Sequence, residues 1–162
     1  MDREDIDVID IGTPNHTHAE IALAAAAAGK HVICEKPLGM NVTEAADMWE
    51  AVKKAGVVHM ICHSYRFVPA IQFAKKLIAE GRLGKIYHFR AHYLQDWIME
   101  DEFPLVWRLR KESCGSGTLG DLMSHSIDLT RFLVGEFAEV SGMMETFIRQ
   151  RPMGEMASGL FA

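Results

Sequence analysis

Residues 31–39 read HVICEKPLG. The apolar run Val32-Ile33-Cys34 stops at Glu35, Lys36 and Pro37. A core strand does not need a carboxylate and an ammonium side by side at its end. A ligand crevice does, and in parallel α/β sheets ligands sit outside the carboxyl ends of the strands. The reading of the fold therefore turns on whether the neighbouring segments build such a sheet.

They do so on both sides. Residues 6–11 (IDVIDI) are short and β-branched, and Gly12-Thr13-Pro14-Asn15 bound them, which predicts a buried strand and a loop. Thr17 and Glu20 have capping-box spacing, an alanine-rich helix follows to Ala28, and Gly29 stops it. Beyond the opening stretch, Asn41 and Glu44 start a helix that Gly56 ends. VVHMIC (57–62) predicts a third strand, and Pro69 and Gly81 frame a further helix. Residues 6–80 thus read β-α-β-α-β-α, the pattern of a parallel sheet with helices packed on it. TPNHTH (13–18), EKPLG (35–39) and HSYRF (63–67) fall at the carboxyl ends of the three strands.

From Lys85 the rhythm changes. IYHFRAHYLQDW (86–97) predicts a longer antiparallel strand, residues 118–134 a helix ended by Gly135, and residues 137–148 another strand. The expected division is 1–66 for the first domain and 67–162 for the second. GSGTLG (115–120) spells the dinucleotide fingerprint G-x-G-x-x-G but follows WRLRKESC, which is no buried strand, so it reads as a glycine turn before a helix. No such fingerprint precedes residue 6. The sheet is therefore expected to be the C-terminal half of a doubly wound Rossmann sheet, leading into the start of an α+β domain with an open antiparallel sheet. Both domains are expected to be partial, the first lacking its N-terminal half and the second its C-terminal part.

The 162 residues are 49% apolar and 24% charged, a globular composition. A net charge of −5 argues against a nucleic-acid partner. No apolar stretch reaches the roughly 18 residues of a membrane span, so no membrane partner is expected. Cys34, Cys62 and Cys114 form no CxxC pair and no disulfide framework, which makes a reducing, cytoplasmic setting the expectation.

Two groups carry possible chemistry. Asp121 and His125 stand at i, i+4 on the expected helix, and an imidazole beside a carboxylate can be oriented as a proton acceptor. Lys36 at a strand end can donate to a developing alkoxide. Each alone is also what a solvated surface pair or turn looks like. Asp128, one turn on, reads as structural. His16 and His18 form H-x-H without a third ligand at a metal-site spacing, so no metal is expected. His88 and His92 share a strand face by the period of two and could line a cleft or face solvent.

The order strand-TPNHTH-helix, strand-EKP, strand-HSYRF, then WR (107–108), a glycine turn and D-x-x-x-H resembles the glucose–fructose oxidoreductase/inositol dehydrogenase (Gfo/Idh/MocA) family over most of the chain. YLQDW (93–97), PLVWRLRKE (104–112) and residues 120–136 resemble its levoglucosan- and glycoside-3-oxidising sugar dehydrogenases. The resemblance implies a nicotinamide cofactor, NAD or NADP with NAD favoured, and a sugar or polyol substrate. It implies a homo-oligomer in the full-length protein. By position it implies Lys36, Asp121 and His125 as catalytic residues. Thr13, Pro14, Asn15, His18, Glu35, Lys36, Ser64, Arg66, Trp107 and Arg108 would lie along the cofactor. Ser64 stands where many members have Asn, which weakens the expectation there. Tyr93, Gln95, Asp96 and Trp97, with the catalytic three, would meet the substrate.

On this basis the chain is expected to move hydride from a secondary hydroxyl of a sugar, glycoside or cyclitol to the cofactor, with Lys36 or His125 as terminal base. A nicotinamide-dependent glycosidase acting by transient oxidation, and a non-catalytic relative, stay open as alternatives.

Overall fold

A computed structural model describes residues 1–153. The last nine residues of the expected second domain, 154–162, lie outside the described residues. Contacts divide the chain into two units: residues 1–63 with 107–121, and residues 64–106 with the chain from 122 onward. The chain passes from the first unit to the second near residue 64, and residues 107–121 belong again to the first. Residues 107–121 return to the first unit because polar side chains there anchor them.

The first unit carries a parallel three-stranded sheet in the order β1 (Val8–Ile11), β2 (His31–Cys34), β3 (His59–Ile61). Register pairs Ile9 with Val32 and Ile11 with Cys34, then Val32 with His59 and Cys34 with Ile61. The expected alternation of strand and helix is present, with α1 (His18–Ala27) and α2 (Val42–Ala55) between the strands. Side chains alternate across a strand, so Ile11, Val32 and Cys34 face one way. They are buried with Ala22, Ala25 and Ala26 of α1 and Met48 and Val52 of α2. The alanines let α1 sit close to the sheet. Val8, His31 and Met60 on the other side are exposed, so these strands are buried on one face rather than on both.

The helix punctuation follows local chemistry. Asn41 Oδ1 accepts from the Glu44 amide at 3.0 Å, and Gly56 closes α2 at φ +67, a conformation a Cβ disfavours. The capping box at Thr17 does not form. Residues Asn15–Thr17 make a 3-10 turn, and the Thr17 hydroxyl donates to the Pro14 carbonyl at 2.8 Å instead. A short helix α4 (Lys111–Cys114) completes the unit.

The second unit holds a 3-10 turn at Ser64–Phe67, α3 (Pro69–Ala79) with Pro69 in its first turn, and α5 (Ser124–Leu133). The two antiparallel strands expected at 86–97 and 137–148 are absent. A strand exists only by its hydrogen-bonded neighbour, and no segment among the described residues supplies one. The expected helix from 118 is helical up to Leu133, but its first part is not α-helical. A π-helical turn at Leu119–Met123 precedes α5. Such turns cluster at functional sites, because they re-aim the side chains they carry. Among the described residues, no helix is long and apolar enough to cross a membrane.

Candidate active site

In the first unit, β2 hands the chain to Glu35 and Lys36, and the Lys36–Pro37 peptide is cis. Lys36 Nζ donates to Asp121 Oδ1 at 2.7 Å and to the Asp121 carbonyl oxygen at 2.9 Å. The two side chains are only 15% and 28% exposed, so the pair is less screened than a surface ion pair. An ammonium has three donors. Two are committed to Asp121, and among the described residues the third is what an incoming oxygen can take.

Three local features bring Asp121 to Lys36. Gly120 is buried, and a Cβ there would meet Ser116 Oγ and stand 3.5 Å from the Pro37 ring. Glycine thus lets the π turn close on the loop that carries Lys36. Asn15, buried in the first loop, donates its amide to the Cys114 carbonyl at 2.9 Å and ties α4 down. Gly115, at φ +79, then turns the chain from α4 toward the π turn.

His18 links the two strand-end loops. It is fully buried, and its Nδ1 and Nε2 each lie 2.9 Å from a carbonyl oxygen, of Pro37 and Thr13 respectively. Both partners are carbonyl oxygens, so whichever ring nitrogen carries the proton meets an acceptor. This brace accounts for one histidine of the H-x-H, while His16 is exposed. Among the described residues no group of three or more His, Cys, Asp or Glu could hold a metal ion.

The remaining cofactor candidates of this unit are mixed. Thr13 is exposed and shares a 2.6 Å hydrogen bond with Thr17 through their hydroxyls. Pro14 is extended and half-buried. The Glu35 carboxylate accepts from the Lys36 amide at 3.1 Å. Arg108 lies over the Trp107 ring at 4.3 Å, and its Nη1 is buried with no hydrogen-bond partner among the described residues. A buried unmatched guanidinium N–H is costly, and it suits an oxygen-rich ligand such as a nucleotide cofactor. Burial pushes the Cys34 thiol up to about 12, and raises Cys62 and Cys114 as well, so none is set up as a nucleophile.

In the second unit, His125 is buried on α5. Its ring stacks on Tyr65 with centroids 4.4 Å apart and lies 6.0 Å from that of Tyr93. The Tyr65 and Tyr93 hydroxyls are 2.8 Å apart. Gln95 Nε2 donates to the Tyr93 hydroxyl at 3.1 Å, and Trp97 Nε1 donates to Gln95 Oε1 at 2.9 Å. The expected substrate residues Tyr93, Gln95 and Trp97 therefore form one cluster, while Asp96 is exposed. His88 and His92 are exposed, as is Ser64. Arg66 makes a two-pronged contact with Asp128, at 2.7 and 2.5 Å, and its side chain lies over Phe132. The carboxylate raises Arg66 above its ordinary value. Asp128 thus has the structural place expected of it, and Arg66 is paired with it while part of its side chain stays exposed.

Two residues were missed in the sequence. Gly120 reads in the sequence only as the last residue of a glycine turn, although it stands directly before Asp121. Tyr65 lies in the strand-end loop HSYRF, but its partners are distant in the chain, so the sequence assigns it no role of its own.

The parallel α/β arrangement of the first unit is that of a dinucleotide-binding fold, and comparison with known proteins agrees. A family model described as "Oxidoreductase family, NAD-binding Rossmann fold" matches residues 1–63, and one described as "GFO/IDH/MocA C-terminal domain" matches residues 71–162. The chain belongs to the Gfo/Idh/MocA family. It is 52% identical over 153 residues to levoglucosan dehydrogenase of Pseudarthrobacter phenanthrenivorans, covering 94% of this chain and 39% of that protein. It is 37% identical to 1,5-anhydro-D-fructose reductase of Ensifer adhaerens, covering 82% of this chain and 39% of that one. A solved levoglucosan dehydrogenase in complex with NADH and levoglucosan superposes with a TM-score of 0.92 at 53% identity, covering 94% of this chain and 41% of that chain. The chain therefore spans about two fifths of the length of the relatives it matches.

Proposed function

We propose that the protein oxidises a secondary hydroxyl of a sugar, glycoside or cyclitol, with a nicotinamide cofactor as hydride acceptor. The observation that carries this reading is the Lys36–Asp121 couple at the carboxyl end of β2. A rigid strand delivers the ammonium, and a carboxylate from a remote turn holds it in place. The likeness to levoglucosan dehydrogenase supports a cyclic sugar substrate, and the NADH in that relative's complex supports NAD over NADP.

Lys36 keeps an N–H for the substrate oxygen and stabilises the negative charge that develops on it. Asp121 fixes the lysine and accepts from neighbouring hydroxyls. His125 takes the hydroxyl proton, the task its near-neutral chemistry suits. Tyr93, Gln95 and Trp97 offer the aromatic faces and amide that a sugar ring needs, with Asp96 beside them. Thr13, Pro14, Asn15, His18 and Glu35 shape the strand-end loops that would hold the cofactor, and Arg108 beside Trp107 has the unmatched donor to meet it. Ser64 and Arg66 are carried here by resemblance, Arg66 through its place beside Tyr65. The chemistry the cofactor supplies when bound is hydride acceptance. A homo-oligomeric assembly and a cytoplasmic setting complete the proposal.

The test is a panel of anhydrosugars, glycosides and cyclitols offered to the intact protein with NAD or NADP, followed by reduced-cofactor absorbance and product analysis. Net NADH with a keto-sugar is the expected result. A released aglycone without net NADH would place the protein among oxidation-assisted glycosidases instead.

A further inference from the structure

We propose that Tyr65 is a positioning residue that sets the angle of the His125 ring, and that Tyr93, Gln95 and Trp97 hold Tyr65 in turn. The inference rests on the reading of His125 as the proton acceptor.

Tyr65 sits in the 3-10 turn Ser64–Phe67, directly before Arg66. Arg66 is locked to Asp128 on α5, the helix that also carries His125 three residues earlier. The ion pair therefore fixes the backbone of the turn relative to α5, and the neighbouring tyrosine falls against the imidazole. The ring planes are inclined by only 29° at 4.4 Å, a stacked contact that resists rotation of the imidazole about its bond to the chain. A tyrosine placed for packing alone would bury its ring in aliphatic core. Tyr65 is 36% exposed, and it stacks on an imidazole and shares a hydrogen bond with a second phenol.

The hydrogen bonds behind it have a direction. Indole N–H is donor only, so the Gln95 oxygen faces Trp97. The Gln95 amide hydrogens are then aimed at the Tyr93 hydroxyl, which accepts, and the two phenols share the last bond. Each member is oriented by the one before it. A change at Tyr93 should therefore reach His125 through Tyr65.

The experiment uses the intact protein and the variants Tyr65→Leu, Tyr65→Phe, Tyr93→Phe and the double Phe variant. Two readouts apply: kcat and KM for the oxidised sugar, and the NMR shifts of the His125 ring protons, assigned by loss of signal in His125→Asn. Tyr65→Leu should lower kcat roughly a hundredfold with little change in KM, as misplacement of a reacting group does. It should also abolish the ring-current shift on His125. Tyr65→Phe keeps the stack and should recover most of both. Tyr65→Phe and Tyr93→Phe break the same bond, so the double variant should be no slower than the worse single one. Wild-type kcat in Tyr65→Leu, a rise in KM alone, or additive losses in the double variant would each overturn the proposal. A wild-type protein that turns over no sugar would sink the dehydrogenase reading instead. In that case unshifted His125 signals in Tyr65→Leu would sink the positioning role too, and shifted ones would uphold it.

Discussion

Lys36 Nζ reaches both the carboxylate and the backbone carbonyl of Asp121, a residue 85 positions away, at 2.7 and 2.9 Å. One contact depends on the aspartate side chain and the other does not. The two should respond differently to mutation.

Lys36→Met removes the ammonium altogether, and kcat should fall by about 10²–10⁴. Lys36→Arg should recover little, since a planar guanidinium is longer and donates in other directions. Asp121→Asn keeps the carbonyl acceptor and should cost less than Lys36→Met. Steady-state rates on the sugar that the wild type oxidises decide it, and near-normal turnover in Lys36→Met would remove the lysine from the mechanism.

His18 has no exposed surface and serves two carbonyls. His18→Leu removes the ring N–H and should cost about 1–3 kcal/mol for an acceptor left without its donor. The melting temperature of the intact protein should drop by several degrees. An unchanged melting curve would mean that the loops at Thr13 and Pro37 do not need the brace.

The Arg66–Asp128 pair is asymmetric, because the arginine side chain is 37% exposed and the aspartate 7%. Arg66→Met leaves a buried carboxylate short of its cation and should cost about 1–3 kcal/mol. Asp128→Asn keeps an acceptor, while the arginine can turn to water, so it should cost less. Denaturant titration of both variants measures the order, and the reverse order would contradict the burial argument.

Cys34 titrates near 12 in the folded chain, chiefly because burial disfavours the thiolate, against about 8.5 for an exposed thiol. A raised folded value means that its contribution to stability is complete below about pH 8.5 and declines as pH rises toward 12. At pH 8.5 iodoacetamide should therefore leave Cys34 unmodified in the native protein and label it in denaturant, as peptide mass spectrometry would show. Rapid native labelling would refute the buried placement.

Local chemistry by itself determined much of this protein. The strand His31–Cys34, the caps at Asn41 and Gly56 and the proline start of α3 were legible because each depends on residues a few positions apart. The lysine and the aspartate were legible as chemical types at telling places. Only the tertiary structure decided their use. It set a π turn at Leu119–Met123 within the expected helix and brought residues 107–121 back to the first unit. It gave Arg66 to Asp128 and set Tyr65 against His125. The expected strands at 86–97 and 137–148 show the same limit, because pairing needs a neighbour that no local pattern can guarantee. Spacing along the chain reports which groups share an element, whereas contact between groups tens of residues apart depends on how the elements pack.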